Sequence, residues 1–450
     1  MKKNTLYLKF MKFITLNVLG MIGLSCYILA DTYFISNGLG ANGLAALNLA
    51  ISIYSFIHAT GLMIGIGGAT KFTILKTQSE HNKANEVFTH CIILGIVIGI
   101  IFALTGILGS EYLSRFLGAN EETFAMTNTY LKTIFLFSPC FILNNILIAF
   151  IRNDNSPKLA MAGMIIGSLS NIILDYIFVF PLNLGMFGAA FATGLAPIIS
   201  IVLLSLHFVK NKNNFSIKRC KFDLTIFKNI INLGLSSLVT EISSGIVLII
   251  FNIVILNIAG NIGVAAYGII ANLALVAIGI FTGIAQGMQP LVSNSYGNKN
   301  YLQLKQLLKY SITLSLIVSV VIYFTITLFS SELISLFNSE NNLLLKTYAT
   351  TGLSLYFIGF IFVGINIVII SFLNSIESSK VAFIISLIRG FIAIIPLVLI
   401  LSSLFGLTGV WLVFPSVEAV TTLIAIILLR NSSITIAQNN EYLIFNKFLI

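Results

Sequence analysis

The sequence is poor in charge and in cysteine, and each shortage excludes a class of protein. Only 9% of its 450 residues are charged, whereas a soluble domain carries about 25%. Because 57% of the residues are hydrophobic and the mean hydropathy is +1.01, the chain has too few polar groups to cover a water-exposed surface. A soluble globular protein is therefore excluded, and lipid is the expected surrounding of most of the chain.

Motifs for metal binding and catalysis are also missing. The four cysteines lie far apart without a C-x-x-C pair, which excludes a zinc-ribbon pattern and a disulfide framework: Cys26, Cys91, Cys140 and Cys220. No G-x-x-x-x-G-K-[ST], G-x-S-x-G or H-E-x-x-H sequence occurs. We therefore predict that the protein is not an enzyme and does not hydrolyse ATP itself.

Long apolar runs are what the sequence has in abundance. A membrane-spanning helix needs about 20 mostly apolar residues, and the chain contains twelve such runs. The first run follows a basic amino-terminal segment but has no cleavage signal, so it is interpreted as a retained helix. The predicted spans are 13–36, 43–70, 88–109, 123–150, 158–180, 186–208, 229–257, 263–292, 306–328, 344–372, 380–402 and 409–430.

The distribution of basic residues predicts the orientation of the spans. Lysine and arginine concentrate before the first span, in every second loop and after the last span, while the intervening loops carry none or one. Since cytoplasmic loops retain basic residues, both termini are predicted to be cytoplasmic.

The chain also repeats itself with a period near 220 residues. The segment G-A-N-G-L-A-A at 40–46 aligns with G-N-I-G-V-A-A at 260–266, and similar matches follow in the same order. Because six spans separate the copies, the repeat is parallel. We predict an all-α integral membrane protein of twelve transmembrane helices, with one six-helix lobe at 1–210, a cytoplasmic linker at 211–228, and a second lobe with a short cytoplasmic tail at 229–450.

Four acidic residues fall inside predicted spans: Asp31, Asp175, Glu241 and Glu418. An ionisable group at bilayer depth costs at least about 2.5 kcal/mol, so such a residue usually faces a cavity or a partner and serves a function. At a rise of about 1.5 Å per residue, Asp31 and Asp175 lie at a similar depth.

Two polar residues join them in the expected cluster. Asn171 is one helical turn from Asp175 and shares its face, while Thr193 on the next span comes to the same level. Two carboxylates in a low dielectric do not both stay ionised easily, so the cluster has the chemistry of a proton or Na⁺ site. The alternative is a structural ion pair between Asp31 and Lys132.

Three further charged residues inside the predicted spans are Glu241, Glu418 and Arg389. Glu241 lies near the middle of its span and is either a cation site of the second lobe or a hydrogen-bonding residue. Glu418 and Arg389 come to similar depths on adjacent spans, so they are expected to neutralise each other. His58, His90 and His207 lack metal spacing and are expected to pack at interfaces.

These residues resemble a known family. The segment D-T-Y-F-I at 31–35 is similar to the first-span signature of the multidrug and toxic compound extrusion (MATE) transporters, and N-I-I-L-D at 171–175 with G-A-A at 188–190 resembles their fifth and sixth spans. Q-G-M-Q-P at 286–290 is similar to their eighth. The resemblance covers nearly the whole chain and is closest to bacterial drug exporters.

The resemblance implies a V-shaped fold of two six-helix lobes and a secondary active efflux pump. Such a pump exchanges cationic or aromatic drugs for Na⁺ or H⁺ by alternating access, and needs no cofactor beyond the coupling ion and no ATPase subunit. It implies cation coupling at Asp31, Asn171, Asp175 and Thr193, which would be the metal ligands in a Na⁺-coupled protein, and drug binding at Asp31 and Asp175.

Further implications concern the second lobe and the location. Glu241 stands where one branch of the family keeps a seventh-span glutamate, but Asn366 replaces that branch's tenth-span aspartate, which weakens a second-lobe ion site. The expected location is the inner membrane of a bacterium, with small-molecule drugs, the coupling ion and the lipid bilayer as partners and no nucleic acid.

Two other functions stay open from the sequence. A flippase for a lipid-linked oligosaccharide precursor belongs to the same superfamily, but it would need a basic cavity for an anionic pyrophosphate, and only Lys132 and Arg389 are intramembrane cations. A passive channel or structural membrane protein is the third possibility.

Overall fold

The structure is a computed structural model that describes residues 3–335, 337–338 and 342–439. All regular structure in these ranges is helical. The chain divides into two compact units, Met1–Ile242 and Ser243–Ile450. The lobe boundaries at 1–210, 211–228 and 229–450 remain predictions, and the end of the predicted cytoplasmic tail, 440–450, lies outside the described residues.

The first unit holds seven helices and the beginning of an eighth. They are α1 (Lys3–Thr77), α2 (His81–Phe116), α3 (Glu121–Leu136), α4 (Ser138–Asn153), α5 (Pro157–Val179), α6 (Gly185–Leu204), the single turn α7 (Leu206–Val209) and α8 (Leu224–Gly297). Asn120 caps α3, because its side chain accepts the amide hydrogen of Thr123 while the Thr123 hydroxyl accepts the amide hydrogen of Asn120.

The second unit contains the rest of α8 and the remaining helices. These are α9 (Tyr301–Leu328), α10 (Ser330–Ser335), α11 (Leu343–Tyr356), a 3₁₀ turn (Phe357–Gly359), α12 (Phe360–Ser375), α13 (Ser379–Leu387), a π-helical turn (Ile388–Ile392) and α14 (Ile394–Asn439). Three continuous helices are broken inside by a glycine, because α1, α8 and α14 have non-helical backbone angles at Gly40, Gly260 and Gly406.

The twelve predicted spans are confirmed. Among the described residues, nine helical segments are long and apolar enough to cross a membrane. The pair α3 and α4, bent by 50°, makes a tenth span. Two of the nine are double spans, since Leu224–Gly297 is broken at Gly260 and Ser379–Arg430 at Gly406. Most of the helices extend beyond the predicted ends, because helical hydrogen bonding continues past the apolar part of a span, whereas α5 ends at Val179, one residue before its predicted end.

The internal repeat is visible in the backbone. Eight of the eleven described residues with positive φ form four pairs, each 220 to 222 residues apart: Gly40 with Gly260, Ser79 with Lys299, Asn155 with Glu377, and Gly185 with Gly406. At the first pair φ is +70° and +62°, a left-handed conformation that glycine adopts without a Cβ clash. The two halves of the sequence therefore break and turn at equivalent positions, as the repeat predicts.

A close helix crossing organises the first unit. A Cβ at Gly234 would lie 1.9 Å from the carbonyl oxygen of Met63, and one at Gly67 would lie 2.1 Å from that of Ile230. Only glycine allows the backbones of α1 and α8 to approach this closely, as in other membrane proteins where small residues line helix contacts. The beginning of α8 is thereby packed against the second half of α1.

Candidate functional site

Helices α5 and α6 bring three of the predicted site residues together. Asn171 and Asp175 are fully buried on one face of α5, and Thr193 of α6 is 4% exposed. The Asn171 amide donates to the Thr193 hydroxyl at 3.3 Å, and that hydroxyl donates to the carbonyl of Ala189 at 3.1 Å. Asn171 and Thr193, which the sequence places at the same depth on adjacent helices, are thus in direct contact.

Asp31 of α1 completes the predicted cluster. Its side chain is buried at 6% exposure, and it is close enough to Asp175 to interact electrostatically. Within the described residues, Asp31 Oδ1, Asn171 Oδ1 and both carboxylate oxygens of Asp175 have no hydrogen-bond partner. Buried carboxylate oxygens without partners are costly, so this group of acceptors has the properties of a site that receives a cation or a proton.

Tyr130 is a fifth member that the sequence did not identify. It is 3% exposed on α3, and it lies close enough to Thr193, Asp31 and Asp175 to interact with them electrostatically. A phenol hydroxyl can donate to one group while it accepts from another. We name Asp31, Tyr130, Asn171, Asp175 and Thr193 the carboxylate cluster.

The alternative ion pair between Asp31 and Lys132 is not formed. Lys132 is exposed on α3, while Asp31 is buried in the carboxylate cluster. Tyr130 and Lys132 are two residues apart and therefore point to different sides of the helix. Tyr130 therefore lies on the buried face of α3, and Lys132 lies on the exposed face.

Glu241 lies on α8 but belongs to the first compact unit. It is partly buried and interacts electrostatically with Tyr54 and His58 of α1. The rings of Tyr54 and His58 stack with their centres 5.9 Å apart, and the Tyr54 hydroxyl is 2.9 Å from that of Tyr27. Glu241 thus groups with the first unit, whereas its position in the sequence predicts the second lobe, and its ion or substrate role stays a prediction.

The second unit has its own buried polar group, in which the predicted pair of Arg389 and Glu418 is formed. Arg389 Nε donates to Glu418 Oε1 at 2.7 Å, and the Asn366 amide donates to Glu418 Oε2 at 2.6 Å. The Thr422 hydroxyl lies 2.9 Å from Asn366 Oδ1. Both carboxylate oxygens of Glu418 accept hydrogen bonds, whereas both carboxylate oxygens of Asp175 in the carboxylate cluster have no donor. Arg389 stands on the π-helical turn Ile388–Ile392.

The donors available for a metal ion are oxygens. Among the described residues, no group of three or more His, Cys, Asp or Glu side chains converges on a point. Na⁺ is a hard cation that accepts carboxylate, amide and hydroxyl oxygens, and the carboxylate cluster offers these three kinds. The chemistry of the cluster fits a proton as well as Na⁺.

Comparison with known proteins identifies the family. The sequence model of the family described as MatE matches the chain twice, over residues 18–177 and 237–400. The chain belongs to the MatE family. The two matches fall in the two halves of the repeat, and both halves of this MatE protein therefore carry the family pattern.

Relatives of this MatE chain are named as exporters. The multidrug export protein MepA of Staphylococcus aureus (strain MRSA252) is 28% identical over 444 residues, which covers 96% of this chain and 95% of that protein. MepA of Staphylococcus saprophyticus (strain ATCC 15305) is 27% identical over 440 residues, with the same coverage of both chains. The predicted resemblance to MATE transporters is confirmed.

Solved structures support the fold of the MatE chain. A crystal structure of MATE in complex with MaL6 superposes with a TM-score of 0.91 at 23% identity, covering 96% of this chain and 97% of that one. An outward-facing MATE family multidrug resistance transporter of the MOP superfamily gives a TM-score of 0.90 at 23% identity, covering 96% of each chain. At this identity the likeness shows the fold alone. The protein is a multi-span membrane transporter of the MatE family.

Proposed function

We propose that this protein is a secondary active multidrug exporter, which exchanges cationic or aromatic drugs for Na⁺ or H⁺ by alternating access. The observation that supports this proposal is the carboxylate cluster, where Asp31 and Asp175 are buried and carry oxygens without hydrogen-bond partners. A site of buried acceptors is favourable when a cation or proton enters it, and unfavourable when it is empty.

The same arrangement supports the proposal of exchange rather than simple binding. A cationic drug and a coupling ion both neutralise the carboxylates of Asp31 and Asp175, so each is expected to weaken the binding of the other. Entry of the ion from outside then displaces the drug. Each positive charge that moves inward gains about 2.3 kcal/mol per 100 mV of membrane potential, which can drive the cycle.

The relatives support the substrate class and the location. MepA proteins are named as multidrug export proteins, and this chain aligns with them over nearly its whole length. We extend to this chain the export of small-molecule drugs and a place in the plasma membrane of a bacterium. The same family assignment argues against an enzymatic activity.

The flippase alternative is less favoured by the charges within the spans. An anionic pyrophosphate needs a basic cavity, but Arg389 is bonded to Glu418 and Lys132 is exposed on α3. The carboxylate cluster, in contrast, would repel such a substrate. A passive channel would conduct without a gradient, which the experiment below detects.

The test is drug export by the purified protein in liposomes. Ethidium uptake into the vesicles is followed by fluorescence under an imposed Na⁺ gradient, an imposed pH gradient, or neither. We expect gradient-dependent ethidium transport with one of the two ions. In Asp31→Asn and Asp175→Asn proteins, the loss of one carboxylate is expected to abolish this transport.

A matched control separates the site from a general effect of charge. Glu111→Gln removes a carboxylate from an exposed position near the end of α2, and we expect it to transport like the unmodified protein. Full gradient-driven export by Asp31→Asn and Asp175→Asn would refute the site. Ethidium flux that is equal with and without gradients would identify a channel.

A further inference from the structure

The connector between α7 and α8 is held against the first unit at its beginning. The carboxylate of Asp154, which follows α4, accepts hydrogen bonds from the backbone and side-chain amides of Asn214 at 2.8 and 3.0 Å. Asp154 also pairs with Lys76 at 2.6 Å and His207 at 2.9 Å. Phe215, 1% exposed, then inserts into an aromatic cluster in which its nearest ring is that of Phe88, at 4.5 Å between centres. The connector is therefore fixed where it leaves α7.

The following residues run along the beginning of α2. The backbone amide of Ser216 donates to the side chain of Asn85 at 2.9 Å, and that of Lys218 to the hydroxyl of Thr89 at 3.0 Å. Further along, the backbone amide of Asp223 donates to Nε2 of His90 at 3.1 Å.

These three bonds fix the direction of the segment. The donors on the connector and the acceptors on α2 follow each other in the same order along the chain, so the connector runs parallel to the beginning of α2. We name residues 216–224 the connector arm.

Helix α2 shows how close the connector arm comes to the bilayer. The exposed apolar residues of α2 begin at Ile93 and continue through Ile96, Val97 and Ile100, as expected for a lipid-facing stripe. His90 is three residues before Ile93, which is about 4.5 Å along a helix. The far end of the connector arm, bonded to His90, is therefore expected beside the edge of the hydrocarbon, in the layer of the lipid headgroups.

The outward side chains of the connector arm match that layer. Lys218, Arg219 and Lys221 are exposed, and the Lys218 ammonium donates to Asn82 at 2.8 Å. The large apolar side chains of the arm are also exposed: Ile217 at 68%, Phe222 at 65% and Leu224 at 69%. Cations interleaved with apolar anchors are typical of segments that lie on an anionic membrane surface.

The acidic groups near the connector arm offset only part of this charge. Asp223 accepts the amide hydrogen of Thr225 at 2.7 Å, which lowers the pKa of its carboxyl, so it stays ionised. Glu86 on α2 is the other acid that interacts with the arm, through Cys220. From 209 to 228 the sequence carries six basic residues and one acidic residue.

We propose that the connector arm is a binding surface for the phosphate headgroups of anionic lipids in the leaflet beside the beginning of α2. The backbone bonds to α2 hold Lys218, Arg219 and Lys221 at headgroup depth, and the exposed apolar side chains enter the boundary of the acyl chains. This binding is independent of drug export and of the coupling ion.

Lipid selectivity of the full-length protein tests the proposal. Native mass spectrometry of the purified protein measures how many phosphatidylglycerol and phosphatidylcholine molecules it retains from an equal mixture. A cation near an anionic surface contributes about 1 kcal/mol, a factor of about five in binding. In the Lys218→Gln, Arg219→Gln, Lys221→Gln triple variant, the ratio of retained phosphatidylglycerol to phosphatidylcholine is therefore expected to fall at least about tenfold.

The matched control removes the same charge from positions on either side of the arm. Lys210→Gln, Lys212→Gln, Lys228→Gln neutralises three exposed lysines that are not held along α2, and it is expected to keep most of the preference. The double variant Arg219→Gln, Lys221→Gln leaves the bond from Lys218 to Asn82 intact, and an intermediate loss is expected. It provides the test if the triple variant does not fold.

Three results would overturn the proposal. They are an unchanged preference in the arm variants, an equal loss in the control variant, and displacement of phosphatidylglycerol by inorganic phosphate at millimolar concentration, which would indicate a site for a soluble anion. Hydrogen exchange in lipid nanodiscs gives a second measurement, in which phosphatidylglycerol should slow the exchange of connector-arm amides in the unmodified protein only.

Discussion

Neutralising Glu418 should destabilise the second unit by an amount that depends on Arg389. In Glu418→Gln the guanidinium of Arg389, whose side chain is 12% exposed, keeps its charge but loses its carboxylate partner at 2.7 Å. Removing one partner of a buried ion pair costs about 3–5 kcal/mol. Because Gln can still accept from the Asn366 amide, we expect the lower end, about 3 kcal/mol.

The double variant Arg389→Gln, Glu418→Gln tests whether the cost comes from the unpaired charge. With no charge left in the site, it should lose less stability than the two single variants added together, by about 2 kcal/mol. Additive losses would refute the reasoning, because they would mean that the two side chains do not stabilise each other.

The assay uses the only tryptophan of the chain. Trp411 lies on α14, the helix that carries Glu418, and is 1% exposed, so its fluorescence reports unfolding of the second unit. Equilibrium unfolding of the purified protein in mixed micelles with increasing dodecyl sulfate gives the free energy of each variant. Transport by the same variants should be measured in parallel, since the pair is assigned a structural role.

Two further predictions concern the first unit. Gly234→Ala should destabilise it by about 1–3 kcal/mol, because the added Cβ would overlap the carbonyl of Met63. Gly109→Ala on α2, where no atom lies within 4 Å of the added Cβ, should be neutral or slightly stabilising when unfolding is followed by circular dichroism. Asp154→Asn should speed hydrogen exchange at the backbone amide of Asn214 by about tenfold or more, since a charge-assisted hydrogen bond is lost; unchanged exchange would show that other contacts hold the connector.

The sequence by itself determined the membrane-spanning architecture. Whether a segment enters the bilayer depends on the apolar surface of that segment alone, so the twelve spans can be counted without knowing how they pack. Helical periodicity likewise placed Asn171 and Asp175 on one face of α5, and the repeat located the equivalent breaks at Gly40 and Gly260.

Only the tertiary structure decided which side chains from different helices meet. The rotation of each helix about its axis is set by packing against its neighbours, so the sequence could not choose between Tyr130 and Lys132 as the side chain facing Asp31. For the same reason it could not show that Glu241 lies near His58, or that the connector follows α2 through hydrogen bonds across more than a hundred residues of chain.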